Sequence, residues 1–321
     1  MAMMNRLLAA LQLTRIALVF TAISNVWVVV LLSEAYGEKV RITEQFADLP
    51  LWAILLCTAA VATGLYAFGM ALNDVLDARR DRAFAPDRPL PSGQLSIQAA
   101  IAITVGALLI AVAAAIPLGA ISTLLCLICA GLILFYNALG KHIPGAGILS
   151  LGLVRAVHML IANPALLYLW PIWLTFTHVV GISTAAYALE RKRPLMNSRA
   201  LWTIVGGWVF ITVVMLAWMA QRELPFIGER LWLGPLIAAT VFGVLMVPTI
   251  GRAPDGRAAG GLLIKRGLLW LIVYDAAWLA SGGLWWQAGL IGLLLLAAIG
   301  SMATLRHLKA LQEPASFQRD K

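Results

Sequence analysis

The sequence predicts an all-α polytopic membrane protein, a bundle of nine or ten transmembrane helices forming one domain over residues 1–321. Three observations carry that expectation. Hydrophobic residues make up 61% of the chain and charged ones only 12%, a balance far from that of soluble domains. The apolar residues gather in runs of about 17 to 25, long enough to cross a bilayer. Basic residues concentrate in alternate gaps between those runs, as orientation by positive charge requires.

In chain order, the first run covers 9–32; Arg15 interrupts it and no small-residue cleavage pattern is clear before Trp27, so it reads as a retained span rather than a signal peptide. The second run, 50–72, leads into an acidic stretch. The third and fourth, 97–115 and 117–137, are separated by a short turn. Cys57, Cys126 and Cys129 lie in apolar spans without the second pair or the histidines that a zinc site needs, and read as small core residues.

The fifth run, 146–168, carries Arg155 and His158 at i, i+3, which must face the bundle interior because an unpaired guanidinium in hydrocarbon is strongly disfavoured. Pro144, Gly147 and Gly152, with Asn163-Pro164 beyond, predict close helix packing and a kink. Runs six to eight, 170–189, 200–220 and 231–249, are plain apart from His178. The ninth, 264–282, is the least secure, with Lys265 and Arg266 at its start and Asp275 inside; that aspartate reads as part of a structural polar network or, beside Tyr274, as the partner of an intramembrane cation. The tenth is 285–304.

With ten spans and both termini cytoplasmic, the loops around 73–96, 138–145, 190–199 and 250–266 face the cytoplasm and, with the termini, hold most of the 24 Lys and Arg residues. Lys39, Arg41, Arg222 and Arg230 fall on the other side. The net charge of +9 therefore reports membrane topology and not nucleic-acid binding.

The stretch from Asn73 to Asp81 carries the chemistry. If helix continues from the preceding span, Asp74, Asp77 and Asp81 fall at i, i+3 and i+7, within an arc of roughly 60°, and can share ligands. Acids there are costly unless they face a wet cavity or a partner. Mg²⁺ fits the residue type, since it takes hard oxygen ligands and commonly bridges one or two carboxylates to phosphates. On spacing alone the alternative stays open: a solvated face whose acids balance Arg79, Arg80, Arg82 and Arg88.

Asn73-Asp74-x-x-Asp77-x-x-x-Asp81, followed by Arg88-Pro89 and Ser92-Gly93, resembles the first aspartate-rich motif of the UbiA superfamily of intramembrane prenyltransferases. The resemblance implies a helical bundle around a central lipid-accessible cavity, in which Mg²⁺ joins the acidic motif to an isoprenyl diphosphate. It implies Asn73, Asp77 and Asp81 as metal ligands with Asp74 in support, and Arg82 and Arg88 as phosphate contacts. Tyr136 and Lys141 also match a Tyr and a Lys of UbiA-like enzymes, which implies cation–π stabilisation by the ring and a diphosphate contact by the ammonium. An interfacial anchor pair is the simpler reading of those two.

Most relatives carry a second acidic cluster after the sixth span. Here only Glu190 is acidic, followed by Arg191, Lys192 and Arg193. Glu190 remains a candidate ligand, and the basic residues, Arg191 among them, can neutralise diphosphate instead. The succession Tyr136, Lys141, Pro144, Gly152 and Arg155, with Tyr187, Glu190 and Arg191, is similar to the UbiA-like EboC branch. In that frame Arg155 is either part of a structural polar network or a substrate contact.

The expected function is Mg²⁺-dependent transfer of an isoprenyl group from its diphosphate to a cyclic or aromatic acceptor, on the cytoplasmic side of a bacterial inner membrane. Asp77, Asp81, Tyr136 and Lys141 are the expected catalytic residues. The competing reading is a non-catalytic polyprenyl-lipid-binding or metabolite-export protein on the same fold. A transporter of unrelated class predicts inverted repeats, and no convincing repeat is present.

Overall fold

The computed structural model describes residues 10, 11, 13, 14, 18–36, 49–86, 88–166, 168–220 and 229–312. Among them the chain forms ten long helices and no strand: α1 (Val19–Ala35), α2 (Leu51–Phe84), α3 (Ile97–Ala115), α4 (Ala120–Ala138), α5 (Pro144–Ala162), α6 (Trp170–Leu189), α7 (Ser198–Ala220), α8 (Leu233–Gly251), α9 (Gly256–Ser281) and α10 (Trp285–Gln312). Each coincides with one of the ten apolar runs. Eight are long and apolar enough to cross a membrane. The other two are α1, of 17 residues, and α9, which carries Lys265, Arg266 and Asp275.

Helices α9 and α10 extend beyond their runs, to Gly256 and Gln312, and two further boundaries depart from expectation for local reasons. The fifth run extends to 168 in sequence, yet α5 stops at Ala162. Pro164 holds Asn163 extended (φ −155°, ψ 96°), and the Asn163 side chain donates to Ser33 Oγ at 2.9 Å while accepting from Ala165 N at 3.0 Å. Asn163-Pro164 therefore ends the helix instead of kinking it. In the other direction, α2 runs well past the apolar stretch to Phe84, 34 residues in all.

Close approaches decide which helices touch. A Cβ on Gly64 of α2 would lie 2.6 Å from Ala107 O of α3, and one on Gly152 of α5 would lie 2.7 Å from Phe176 and Val180 of α6. At the α4–α5 turn a Cβ on Gly147 would meet Gly140 O at 2.2 Å. These contacts exist because the side chain is a hydrogen.

The ends of the helices sort onto two faces. On one, Lys141 of the α4–α5 turn reaches Asp77 near the end of α2, Gly145 meets Thr203 at the start of α7, and Gly256 and Gly260 at the start of α9 meet Leu189 and Glu190 at the end of α6. On the other, Tyr36 Oη donates to Gly282 O and Ser281 Oγ accepts from Gly234 N.

A polar network crosses the middle of the bundle. Asp275 of α9 accepts through Oδ2 from Ser24 Oγ at 2.5 Å and Asn25 Nδ2 at 2.8 Å, both on α1. Arg155 of α5 donates to Asn25 Oδ1 at 3.3 Å and Thr21 Oγ1 at 3.2 Å. Asn25 thus bridges the carboxylate to the guanidinium: Arg155 faces inward as expected, and Asp275 belongs to a structural polar network that reaches the cation only through Asn25. His178 packs α6 on α9, its ring between Gly267 O (3.0 Å) and Tyr274 Oη (3.3 Å). Cys126 and Cys129 are free thiols inside the core.

Two outcomes follow for stability. Asp275→Ala leaves the Arg155 charge without its compensation and lowers the unfolding free energy by about 3 kcal/mol; adding Arg155→Leu restores most of that loss. A double-mutant cycle in mixed micelles checks this, and strictly additive losses would remove the coupling. Gly147→Ala costs about 1–3 kcal/mol by overpacking, whereas Gly131→Ala, whose Cβ meets nothing within 4 Å, costs none.

Candidate active site

The acidic motif stands on the last turns of α2. Because α2 continues as helix through Phe84, Asp74, Asp77 and Asp81 do share one face, as the spacing predicts. Asp74 and Asp81 are buried, and Asn73 and Asp77 are half-buried. The chain then turns through Arg88-Pro89 and Ser92-Gly93: Ala85 N donates to Asp81 O, Leu95 N donates to Pro89 O, and Gly93 sits at φ 74°, a conformation glycine adopts at no steric cost. Leu95, Ala71, Ala100 and Leu13 form a small apolar cluster beneath this loop, with Leu90 and Val75 against it. The loop is thereby fixed over the end of α2.

That fixation returns Arg88 to the acids. Its Nη1 lies 2.5 Å from Asp81 Oδ2 and 3.5 Å from Asp74 Oδ1. Asn73 Nδ2 stands 3.4 Å from Asp74 Oδ1. From the other direction, Lys141 Nζ reaches Asp77 Oδ1 at 2.7 Å across 64 residues of sequence. The turn that carries Lys141 is held by the Gly140–Gly147 approach. Tyr136 lies half-buried near the end of α4, one turn before that lysine.

Asn137 belongs to the same arrangement and was not singled out from sequence. Its side-chain amide donates to Ile133 O at 2.9 Å and to Gly69 O at 3.4 Å, tying the end of α4 to α2 one turn before the acids. Its place between Tyr136 and the lysine turn was the available signal.

The remaining candidates are exposed or engaged with other groups. Arg82 is exposed on the last turn of α2. Arg155 spends its guanidinium on α1. Glu190 pairs with Lys192 at 3.2 Å and packs its side chain against Gly260, and Arg191 is exposed just beyond α6. Among the described residues no three His, Cys, Asp or Glu side chains converge as a metal cage.

The carboxylates nevertheless fit Mg²⁺. They are hard oxygen donors at the edge of the membrane, and this ion is usually held by one or two carboxylates together with substrate phosphates. What the geometry offers is three carboxylates against two cations, Asp77 with Lys141 and both Asp81 and Asp74 with Arg88, and those cations are suited to phosphate.

Residues 44–193 match the UbiA prenyltransferase family. A digeranylgeranylglyceryl phosphate synthase of Haloquadratum walsbyi is 23% identical over 223 residues, covering 66% of this chain and 78% of that protein. Among solved structures, one of a digeranylgeranylglyceryl phosphate synthase superposes with a TM-score of 0.57 at 16% identity, covering 86% of this chain and 98% of the other. A UbiA homologue from Archaeoglobus fulgidus bound to DMAPP and Mg²⁺ superposes with a TM-score of 0.53 at 14% identity, covering 85% and 99%. The matched segment holds the acidic helix end, the Lys141 turn and the Glu190 loop together, and over most of its length the chain shares the fold of these solved UbiA homologues.

Proposed function

We propose that this protein is a Mg²⁺-dependent prenyltransferase that moves an isoprenyl group from its diphosphate to a cyclic or aromatic acceptor at the cytoplasmic face of the membrane. The observation that carries the reading is the 2.7 Å pair between Lys141 and Asp77. It brings the two motifs, separate in sequence, to one point at the end of α2. The A. fulgidus homologue, bound to DMAPP and Mg²⁺, supports the donor class and the metal. The excess of Lys and Arg in the loops on this side supports its cytoplasmic orientation.

The residues present define a charge exchange. As diphosphate binds, Lys141 and Arg88 leave their carboxylates for phosphate oxygens, and Asp77 and Asp81 become available to the metal, with Asn73 and Asp74 beside them. Mg²⁺ held by these carboxylates would supply charge neutralisation for the departing diphosphate. The bond between the allylic carbon and the bridging oxygen breaks, the electron pair leaves with diphosphate, and the acceptor supplies the electrons for the new bond before losing a proton. Tyr136 stabilises the cationic carbon with its ring in this reading, and the apolar helices around the site exclude water. Arg82, exposed one residue beyond Asp81, contacts the diphosphate from the open side.

A carrier that binds a polyprenyl lipid without chemistry is the second reading, favoured by Glu190 standing as the sole acid of its loop and being paired with Lys192. Turnover separates the two.

Asp81→Asn is expected to abolish donor binding and product formation; unaltered product formation in purified membranes would overturn the reading. Lys141→Ala is expected to raise the donor KM at least about tenfold, as loss of a charge-assisted contact worth roughly 1.5–3 kcal/mol does, with little change in acceptor KM. Steady-state kinetics with each substrate varied in turn measures that split. Removing Mg²⁺ with a chelator is expected to stop turnover, and its return to restore it.

A further inference from the structure

Helices α6 and α7 both lean on α5 and scarcely on each other. Gly152 of α5 receives Phe176 and Val180 of α6, Gly145 receives Thr203 of α7, and Gly207 of α7 receives Leu149 of α5. Between α6 and α7 this leaves a groove of about 580 Å³, within the range of roughly 300–1,000 Å³ usual for ligand sites. Gly181, Ala185 and Ala188 line one wall and Ile204, Val205 and Trp208 the other. The polar atoms in it are already engaged: Thr177 Oγ1 accepts from Trp208 Nε1 at 2.9 Å and Thr184 Oγ1 donates to Val180 O at 2.7 Å. Whatever fills the groove therefore meets hydrocarbon and must itself be hydrocarbon.

Recognition of anything polar is confined to one end. There the loop of residues 190–197 crosses from α6 to α7, with Met196 in the groove wall and Arg191, Lys192 and Arg193 exposed. Tyr187 Oη donates to Pro194 O at 2.5 Å and holds the loop against α6. Lys192 is paired with Glu190 at 3.2 Å; among the described residues Arg191 and Arg193 have no carboxylate partner. Arg191 also holds φ 47°, a left-handed conformation at a helix C-terminus where glycine is usual. The charge is kept there in spite of backbone strain.

We propose that this groove binds an anionic phospholipid of the surrounding bilayer, one acyl chain between α6 and α7 and the phosphate against Arg191 and Arg193. An apolar slot ending in a basic loop matches an acyl chain ending in a negative headgroup, and basic pockets between helices on the cytoplasmic side are where such headgroups are held. A zwitterionic lipid fills the slot without answering the two cations. The isoprenyl diphosphate has its own cations, Lys141 and Arg88, at the end of α2, and the groove lies on the side of α5 that faces α6 and α7.

Native mass spectrometry of the full chain in detergent tests this with phosphatidylglycerol and phosphatidylcholine as probes. The unaltered chain is expected to retain one phosphatidylglycerol in preference to phosphatidylcholine. Ala185→Trp fills the slot and should remove that retention, while Gly206→Trp, outside the groove and in open space, should keep it. Arg191→Gln with Arg193→Gln should weaken phosphatidylglycerol roughly fivefold for each charge removed and leave phosphatidylcholine unchanged. Equal retention of the two lipids by the unaltered chain overturns the proposal, as does retention indifferent to Ala185→Trp. Displacement of phosphatidylglycerol by an isoprenyl diphosphate overturns it too, by assigning the groove to the donor. Should Ala185→Trp fail to fold, the arginine pair decides by itself.

Discussion

A charge inside hydrocarbon has to be answered within the protein, and the bond from Asn25 to both Asp275 and Arg155 is how this bundle answers it. One amide, donating through its nitrogen and accepting through its oxygen, joins an acid of α9 to a base of α5 that do not meet directly. Three helices distant in sequence are thereby set in register. The arrangement also explains how α9, too charged to look like an ordinary span, packs against α1, α6, α8 and α10: its carboxylate is supplied with donors before it meets lipid.

The same requirement governs the acidic end of α2, with a different result. At the membrane edge the partners are whole cations on a loop and a turn, Arg88 and Lys141, instead of neutral groups on buried helices. Such pairs hold the site together, and under the proposed function they are exchangeable, because a diphosphate offers the cations more negative charge than a carboxylate does and water is near enough to ease the transfer. One bundle thus contains a locked polar centre and an exchangeable one, distinguished by depth.

Much of this was legible in the sequence. The ten apolar runs correspond to the ten helices, and the 3, 7 spacing of the aspartates holds because α2 does not break at Asn73. The inward direction of Arg155 followed from its charge alone. Its partners did not, although Thr21, Ser24 and Asn25 form an i, i+3, i+4 stripe on α1; small polar residues in a transmembrane run are common enough to pass unnoticed. Nor could the position of Glu190 be read, since its contact with Gly260 joins residues 70 apart in sequence through a glycine whose only mark is the absence of a side chain. Asn137 escaped for a similar reason: its acceptor is a backbone carbonyl, which no sequence displays.

Helix α2 has one more consequence. Its 34 residues make a rod of roughly 51 Å at 1.5 Å per residue, against a hydrocarbon core of about 30 Å. The acids ride on the protruding end of the same rigid element that crosses the bilayer. A span adjusts to lipid thickness by tilting, and because Asn137 ties α4 to α2 and Lys141 is bonded to Asp77, the acids and that lysine move as one unit when α2 tilts.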